Sequence, residues 1–232
     1  MSIVASIRKQ ITPIHPEGYI FIAGAVILAL IFDWLLPRVG WLFWLLPLFV
    51  AYFFRDPKRH TPMREGLVVS PADGRVSFVG QAVPPPELEL GDQPMLMISI
   101  FLSVFDVHIN RAPVSGKIRK IVYTPGLFLN ADLDKASKDN ERNSLVIESS
   151  SGAIGCVQIA GLIARRILCF VKQGEDITAG ARFGLIRFGS RTDVYVPLGA
   201  QALVTEGQTA IGGETVLVDM KSGETQRSFR LD

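Results

Sequence analysis

Apolar residues run almost unbroken from Gly18 to Phe54, and beyond Pro57 they recur only as short runs broken by glycine, proline and charged residues. The long stretch has two parts, 18–32 and 39–54, divided by Asp33 and by Pro37-Arg38. Each part is roughly 15 or 16 residues, about 23 Å as a helix against a hydrocarbon core of about 30 Å. Two short apolar helices forming a hairpin over 17–56, after an N-terminal segment 1–16, are therefore expected. Such a hairpin either dips into a bilayer or crosses it tilted. Trp34, Trp41 and Trp44 suit the membrane interface. Arg8 and Lys9 before the hairpin, and Arg55, Lys58 and Arg59 after it, set both ends on the cytoplasmic side by the positive-inside tendency. A second apolar run following at once, with no small-residue cleavage site, argues against a cleaved signal peptide.

Residues 57–232 read as a β-rich body. Val68 to Gln81 is strand, turn, strand around Pro71-Ala-Asp-Gly74, and Met95 to Val104 is a long apolar strand ending at Phe105-Asp-Val-His-Ile-Asn-Arg-Ala-Pro113. Pro84-Pro-Pro86 is a loop, and the polar stretch from Asn130 to Asn143 is expected to be a loop or short helix over one edge. Gly189-Ser190 joins two strand-like runs, 183–188 and 193–197, where a glycine signals a bend in the backbone. Two internal echoes run through the body. Pro71-Ala-Asp-Gly-Arg-Val76 resembles Pro113-Val-Ser-Gly-Lys-Ile118, and Val171-Lys-Gln-Gly174 with Gly180 resembles Val204-Thr-Glu-Gly207 with Gly212-Gly213. Such glycine-punctuated strands resemble the barrel-sandwich hammerheads of lipoyl and biotinyl carrier domains. The expected fold is mainly β, although no Met-Lys-Met carrier sequence occurs.

Composition narrows the functions. A hydrophobic fraction of 48% reflects the N-terminal run, and a net charge of +2 with no basic-aromatic stripe gives no reason to expect a nucleic-acid partner. Cys156 and Cys169 lie in apolar strand-like stretches without metal-type spacing, so buried reduced thiols are expected. His15, His60 and His108 do not cluster, so a zinc site is not expected.

Four stretches carry the candidate chemistry: Ser70-Pro-Ala-Asp-Gly74, Phe105-Asp-Val-His-Ile-Asn-Arg111, Gln158-Ile-Ala-Gly-Leu-Ile-Ala-Arg-Arg166 and Phe188-Gly-Ser190. In this order behind an apolar hairpin they resemble the phosphatidylserine decarboxylases, specifically their short proenzyme type, over essentially the whole chain. The resemblance implies self-cleavage between Gly189 and Ser190, giving a larger chain 1–189 and a smaller chain 190–232 that remain together and assemble further. It implies that Ser190 becomes a covalent pyruvoyl group, the electron sink for decarboxylation of phosphatidylserine to phosphatidylethanolamine at the cytoplasmic face of the inner membrane, among membrane lipids. A hydroxyl nucleophile needs a base. Asp73 matches the family's aspartate for the cleavage step, and His108 is a natural proton carrier.

Long-form members carry a second histidine three residues after the first, where this chain has Arg111. An arginine stays protonated and is no general base. Either His108 serves both maturation and turnover, or Asp73 acts with Arg111 as an electrostatic helper. Phe105 and Arg111 are candidate substrate contacts, with Val107 and Phe188 as further apolar wall. Arg165 and Arg166 form either a structural ion pair or a head-group or subunit contact. Two other functions compete: a non-catalytic membrane-anchored barrel-sandwich adaptor, and a pyruvoyl decarboxylase for a soluble amino acid, which has no need of 18–54.

Overall fold

The computed structural model describes residues 12–127, 140–161, 166–187, 190–223 and 227–230. They fall into two compact units, 1–58 and 59–232. In the first, α1 (Tyr19–Leu35) follows a 3-10 turn (Pro16–Gly18), and a second 3-10 turn (Gly40–Trp44) leads into α2 (Leu45–Phe53). The expected hairpin forms, with one boundary moved. Asp33 lies inside α1 rather than between the helices, and the helix stops before Pro37, which disfavours helical geometry at the residue preceding it. The stretch Pro16–Leu35 is long and apolar enough to cross a membrane, whereas Gly40–Phe53 is shorter. Gly40 lets the chain double back on α1, because a Cβ there would lie 2.3 Å from the Asp33 Cα. Phe32 and Phe43 stack at 4.1 Å across that bend, and Phe21 and Phe54 at 5.3 Å across the open end. Trp34 and Trp41 point outward, 80% and 60% exposed.

The second unit is mainly β, as the short alternating runs predict. Its strands are β1 (Leu67–Val69), β2 (Gly74–Ala82), β3 (Met95–Leu102), β4 (Ile109–Arg111), β5 (Gly116–Thr124), β6 (Arg142–Ser149) and β7 (Gly152–Ala160). They continue with β8 (Ile167–Cys169), β9 (Asp176–Ile177), β10 (Arg182–Ile186), β11 (Ser190–Val196), β12 (Gln201–Ala202), β13 (Thr209–Ala210) and β14 (Val216–Asp219). Eight form one curled sheet in the order β13-β2-β3-β11-β7-β6-β5-β9, and two three-stranded sheets, β1-β14-β12 and β4-β10-β8, complete the body. The inward side chains Ile98, Ile100, Leu102, Leu145, Ile147, Ile154, Val194 and Val196 share one core with Val68, Phe183 and Leu217 of the small sheets. Leu88, Met95, Val146, Val157, Ile159 and Tyr195 form a second cluster on the opposite face. Strand β11, between β3 and β7, is therefore buried on both sides along its whole length.

The runs either side of Gly189-Ser190 belong to different sheets: β10 lies in a small sheet and β11 at the centre of the large one. The chain thus passes from one sheet to another between Ile186 and Ser190 rather than continuing one ladder. Strand β6 begins at Arg142, so the end of the polar stretch expected to be loop or helix is sheet, and 128–139 lie outside the described residues. Cys156 is buried as expected, but Cys169, expected to be buried, is exposed because it ends a short strand at the edge of its sheet.

The internal echoes correspond to a pseudo-two-fold repeat of hydrogen bonds. Val76 N–H donates to Gln208 O and Ile118 N–H to Glu175 O, both at 2.9 Å. Gly207 N–H donates to Val76 O and Gly174 N–H to Ile118 O, while Gly213 N–H reaches Ser70 O and Gly180 N–H reaches Ala112 O. Gly74 and Gly116 are equivalent: a Cβ on either would lie 2.1 Å from a carbonyl oxygen, of Phe101 and Glu148 respectively. Each Pro-x-x-Gly turn thus hands its chain to a long strand against backbone that leaves no room for a side chain.

Candidate active site

Ser190 heads β11, opposite Leu102 of β3 and Ala160 of β7. It is fully buried, and its hydroxyl has no hydrogen-bond partner among the described residues. Leaving a buried hydroxyl unsatisfied costs about 1–3 kcal/mol, which makes this position a candidate for chemistry. Phe188 and Gly189, half of the candidate cleavage site, lie outside the described residues.

His108 approaches the same end of the sheet by two routes. Strand β3 ends opposite Ser190, and the turn after it delivers His108; strand β10 ends at Ile186, whose N–H donates to His108 O at 3.2 Å, four residues before Ser190. The imidazole is buried, with Nδ1 3.0 Å from Asp106 O. A carbonyl oxygen only accepts, so this contact assigns the proton to Nδ1 and leaves Nε2 as the basic nitrogen. Asp106 is fixed in turn by Ser103, whose N–H and Oγ–H donate to Oδ2 at 2.8 and 2.7 Å. Phe105, at the outside of this turn, is 62% exposed.

Asp73 sits in the Pro-Ala-Asp-Gly turn. Its Oδ1 accepts the Gly212 N–H at 2.8 Å and its Oδ2 lies 2.5 Å from Arg59 Nη2. Burial lifts its carboxyl above the ordinary aspartate value, and the charge of Asp106 adds to the rise. The guanidinium of Arg59 and the Gly212 N–H oppose it without cancelling it. In the other pseudo-repeat Ser115 occupies the equivalent position, and its Oγ accepts the Ala179 N–H at 2.9 Å. Capping the turn therefore needs only a hydroxyl. The carboxylate at 73 exceeds what the turn requires.

Arg111 is buried beside the same turn. Its backbone N–H donates to Pro71 O and its Nη1 to Gly180 O, both at 2.8 Å, and its Cδ lies 2.9 Å from where a Cβ on Gly213 would be. The cation on Asp73 is Arg59, which the sequence presented only as a hairpin flank.

On the inner face, strand register aligns two rows of side chains. One row runs Tyr123, Asn143, Gln158, Thr192 and Ile100; the next runs Glu141, Ala160, Ser190 and Leu102. A buried polar chain links the first row to β4. Asn143 Nδ2 donates to Gln158 Oε1 at 2.8 Å, Gln158 Nε2 to Asn110 Oδ1 at 2.7 Å, and Asn110 Nδ2 to Thr192 Oγ1 at 3.5 Å. Gly184 of β10 makes room for it, because a Cβ there would lie 2.7 Å from Gln158 Nε2. Of these residues the sequence singled out Gln158 and Asn110, each within its own motif. The signal for the others was polar residues at alternate positions of otherwise apolar strands.

A buried hydroxyl without a partner, a histidine with one assigned proton and a carboxyl made more basic by its surroundings converge on one sheet end, as in an enzyme. The comparisons with known proteins agree. The phosphatidylserine decarboxylase family model matches residues 46–218. The phosphatidylserine decarboxylase proenzyme of Beijerinckia indica subsp. indica is 60% identical over 230 residues, 99% of each chain. The chain belongs to the phosphatidylserine decarboxylase family.

Proposed function

We propose that this protein matures by cutting itself between Gly189 and Ser190 and then decarboxylates phosphatidylserine to phosphatidylethanolamine. The observation that carries the reading is the unpartnered Ser190 hydroxyl at the head of the central strand. In maturation the Ser190 Oγ attacks the Gly189 carbonyl, and the peptide bond becomes an ester as the acyl group passes from nitrogen to oxygen. Loss of the Ser190 α-proton expels the Gly189 carboxylate, and water then replaces the nitrogen, released as ammonia, to leave a pyruvoyl group. Asp73, with its proton affinity raised, is the residue suited to take the hydroxyl proton.

The group fits this position: it is formed from the Cα, Cβ and carbonyl of residue 190, and its formation removes the hydroxyl that is otherwise unsatisfied. When present it supplies the electron sink for the carbanion left by CO2. The chain's own residues bind and orient the lipid, keep the carboxylate in an apolar setting and return a proton to the carbon that carried it. His108, buried, is the candidate: its Nε2 first takes up a proton and then delivers it to that carbon. The two pieces stay together because 190–232 contributes β11, hydrogen-bonded between β3 and β7 of 1–189. The apolar hairpin would hold the body at the cytoplasmic surface of the inner membrane, where the substrate lies.

The test is the intact mass of denatured full-length protein beside Ser190→Ala, with conversion of phosphatidylserine followed in mixed micelles. Two pieces meeting at 189/190, a carbonyl on the smaller that reacts with hydroxylamine, and CO2 release abolished in the variant are expected. An uncut chain that still released CO2 would refute the mechanism.

A further inference from the structure

A cavity of about 740 Å³ opens beside the candidate active site, lined by Tyr123, Glu141, Asn143, Arg166, Ile167 and Val171 among others. Three of these belong to the two rows at the Ser190 end of the sheet: Tyr123 and Asn143 lie in the row of Thr192, and Glu141 in the row of Ser190 itself. Glu141 lies two strands from Ser190, roughly 10 Å across the sheet, with only the methyl of Ala160 between them. The upper wall is equally close. Arg166 O accepts the N–H of Arg187, three residues before Ser190, and Ile167 packs with Ala160 and Ile186.

The charges in this cavity are unequally committed. The Glu141 carboxylate accepts the Ile167 N–H at 3.0 Å and also engages the Tyr123 hydroxyl. Arg166 is exposed to the cavity, and its guanidinium forms no ion pair or hydrogen bond among the described residues. The available charge is a cation on the segment whose backbone bonds Arg187, three residues before the reacting position. A serine head group offers it two anions. Holding the carboxylate on a cation would stabilise the ground state that must lose CO2, so that anion gains nothing from Arg166. The phosphodiester keeps its charge throughout and is joined to the reacting amine by a short spacer.

We propose that this cavity is the head-group site for a glycerophospholipid, with Arg166 binding the phosphodiester while the amine reaches residue 190. This rests on the decarboxylase reading for the substrate, but its test does not need turnover. In the full-length Ser190→Ala protein, calorimetry with deacylated glycerophosphoserine should show binding that Arg166→Gln weakens about tenfold or more and Arg166→Lys largely retains. Free serine should bind weakly and indifferently to residue 166. With Ser190 intact, Arg166→Gln should still split at 189/190, and its loss of catalytic efficiency should fall on KM. Equal binding of glycerophosphoserine with and without Arg166, absence of binding to Ser190→Ala, or an equal loss for free serine would each overturn the assignment. Failure of the decarboxylase reading has a different signature: parental protein that neither splits nor releases CO2, whatever the calorimetry shows.

Discussion

The pseudo-two-fold repeat supplies its own control for Asp73. Replacing Asp73 by serine copies the residue that caps the equivalent turn, where Ser115 Oγ holds the Ala179 N–H at 2.9 Å. The Gly212 N–H keeps an acceptor, so the turn should survive. What is lost is the ion pair with Arg59, whose side chains are 12% and 17% exposed; both retain some access to water, so its loss should cost only about 1–2 kcal/mol. If the carboxylate removes the Ser190 proton, however, maturation should slow by about 10²–10⁴-fold, or roughly 2.7–5.5 kcal/mol of barrier. The assay is the time course of pieces 1–189 and 190–232 after cell-free synthesis, read by intact mass, with thermal unfolding of the uncut chain alongside. Arg59→Gln breaks the same pair but keeps the carboxylate, so it should lose comparable stability and still mature. It also removes a charge that holds the Asp73 carboxyl down. The acid limb of the maturation rate, already expected above the ordinary 3.8, should therefore move to still higher pH. The linked stability has the opposite sense. A raised carboxyl contributes stability below pH 3.8 that is lost as pH rises through the folded-state value, so the parent's advantage over Asp73→Ser should shrink across that interval. A folded Asp73→Ser chain that splits at the parental rate would refute the assignment.

Two further outcomes test the surroundings of the site. Gln158→Leu leaves the Asn143 amide and the Asn110 oxygen without their bonds of 2.8 and 2.7 Å, both buried, and should lower unfolding free energy by about 2–5 kcal/mol in denaturant titration. A change under about 1 kcal/mol would mean that the polar chain is not a structural unit. Ile27→Asp with Leu30→Asp alters two side chains that are 57% and 53% exposed on α1, so the folded unit should tolerate both. At a helix centre in lipid each aspartate costs about 2.5–3.5 kcal/mol, so vesicle flotation should show the doubly substituted protein largely released. Undiminished flotation would remove the hairpin from the membrane reading.

The hairpin, the β body and the echoes were legible because each is written in the local periodicity of the chain. The Gly18–Phe54 run could bury its residues only in lipid or against itself, and Pro37 marks where its first helix stops. The turns at Gly74 and Gly116 were legible for the same local reason, since each glycine precedes a strand that leaves no room for a Cβ. The site was less legible because its residues meet only through strand order. No pattern in β5 or β6 shows that β7 lies beyond them, or that β11 lies beyond β7. Tyr123, Glu141 and Ser190 therefore come from three separate stretches, and their shared face follows only from the register.

The same reasoning explains why the polar chain escaped notice and why it matters. Asn143, Gln158 and Thr192 occupy alternate positions in strands that are otherwise buried, so each looks like an isolated polar exception to an apolar face. An isolated buried amide is unfavourable, and the favourable state exists only when all the partners are aligned. Register fixes that alignment: a slip of β11 by one residue would turn Thr192 and Ser190 to the opposite face and leave the Asn110 amide without the Thr192 hydroxyl. The polar chain thus penalises any pairing of β11 other than the one that buries the Ser190 hydroxyl at the convergence of His108 and Asp73. In that sense the reactive position is specified by groups that need never touch the reacting bond.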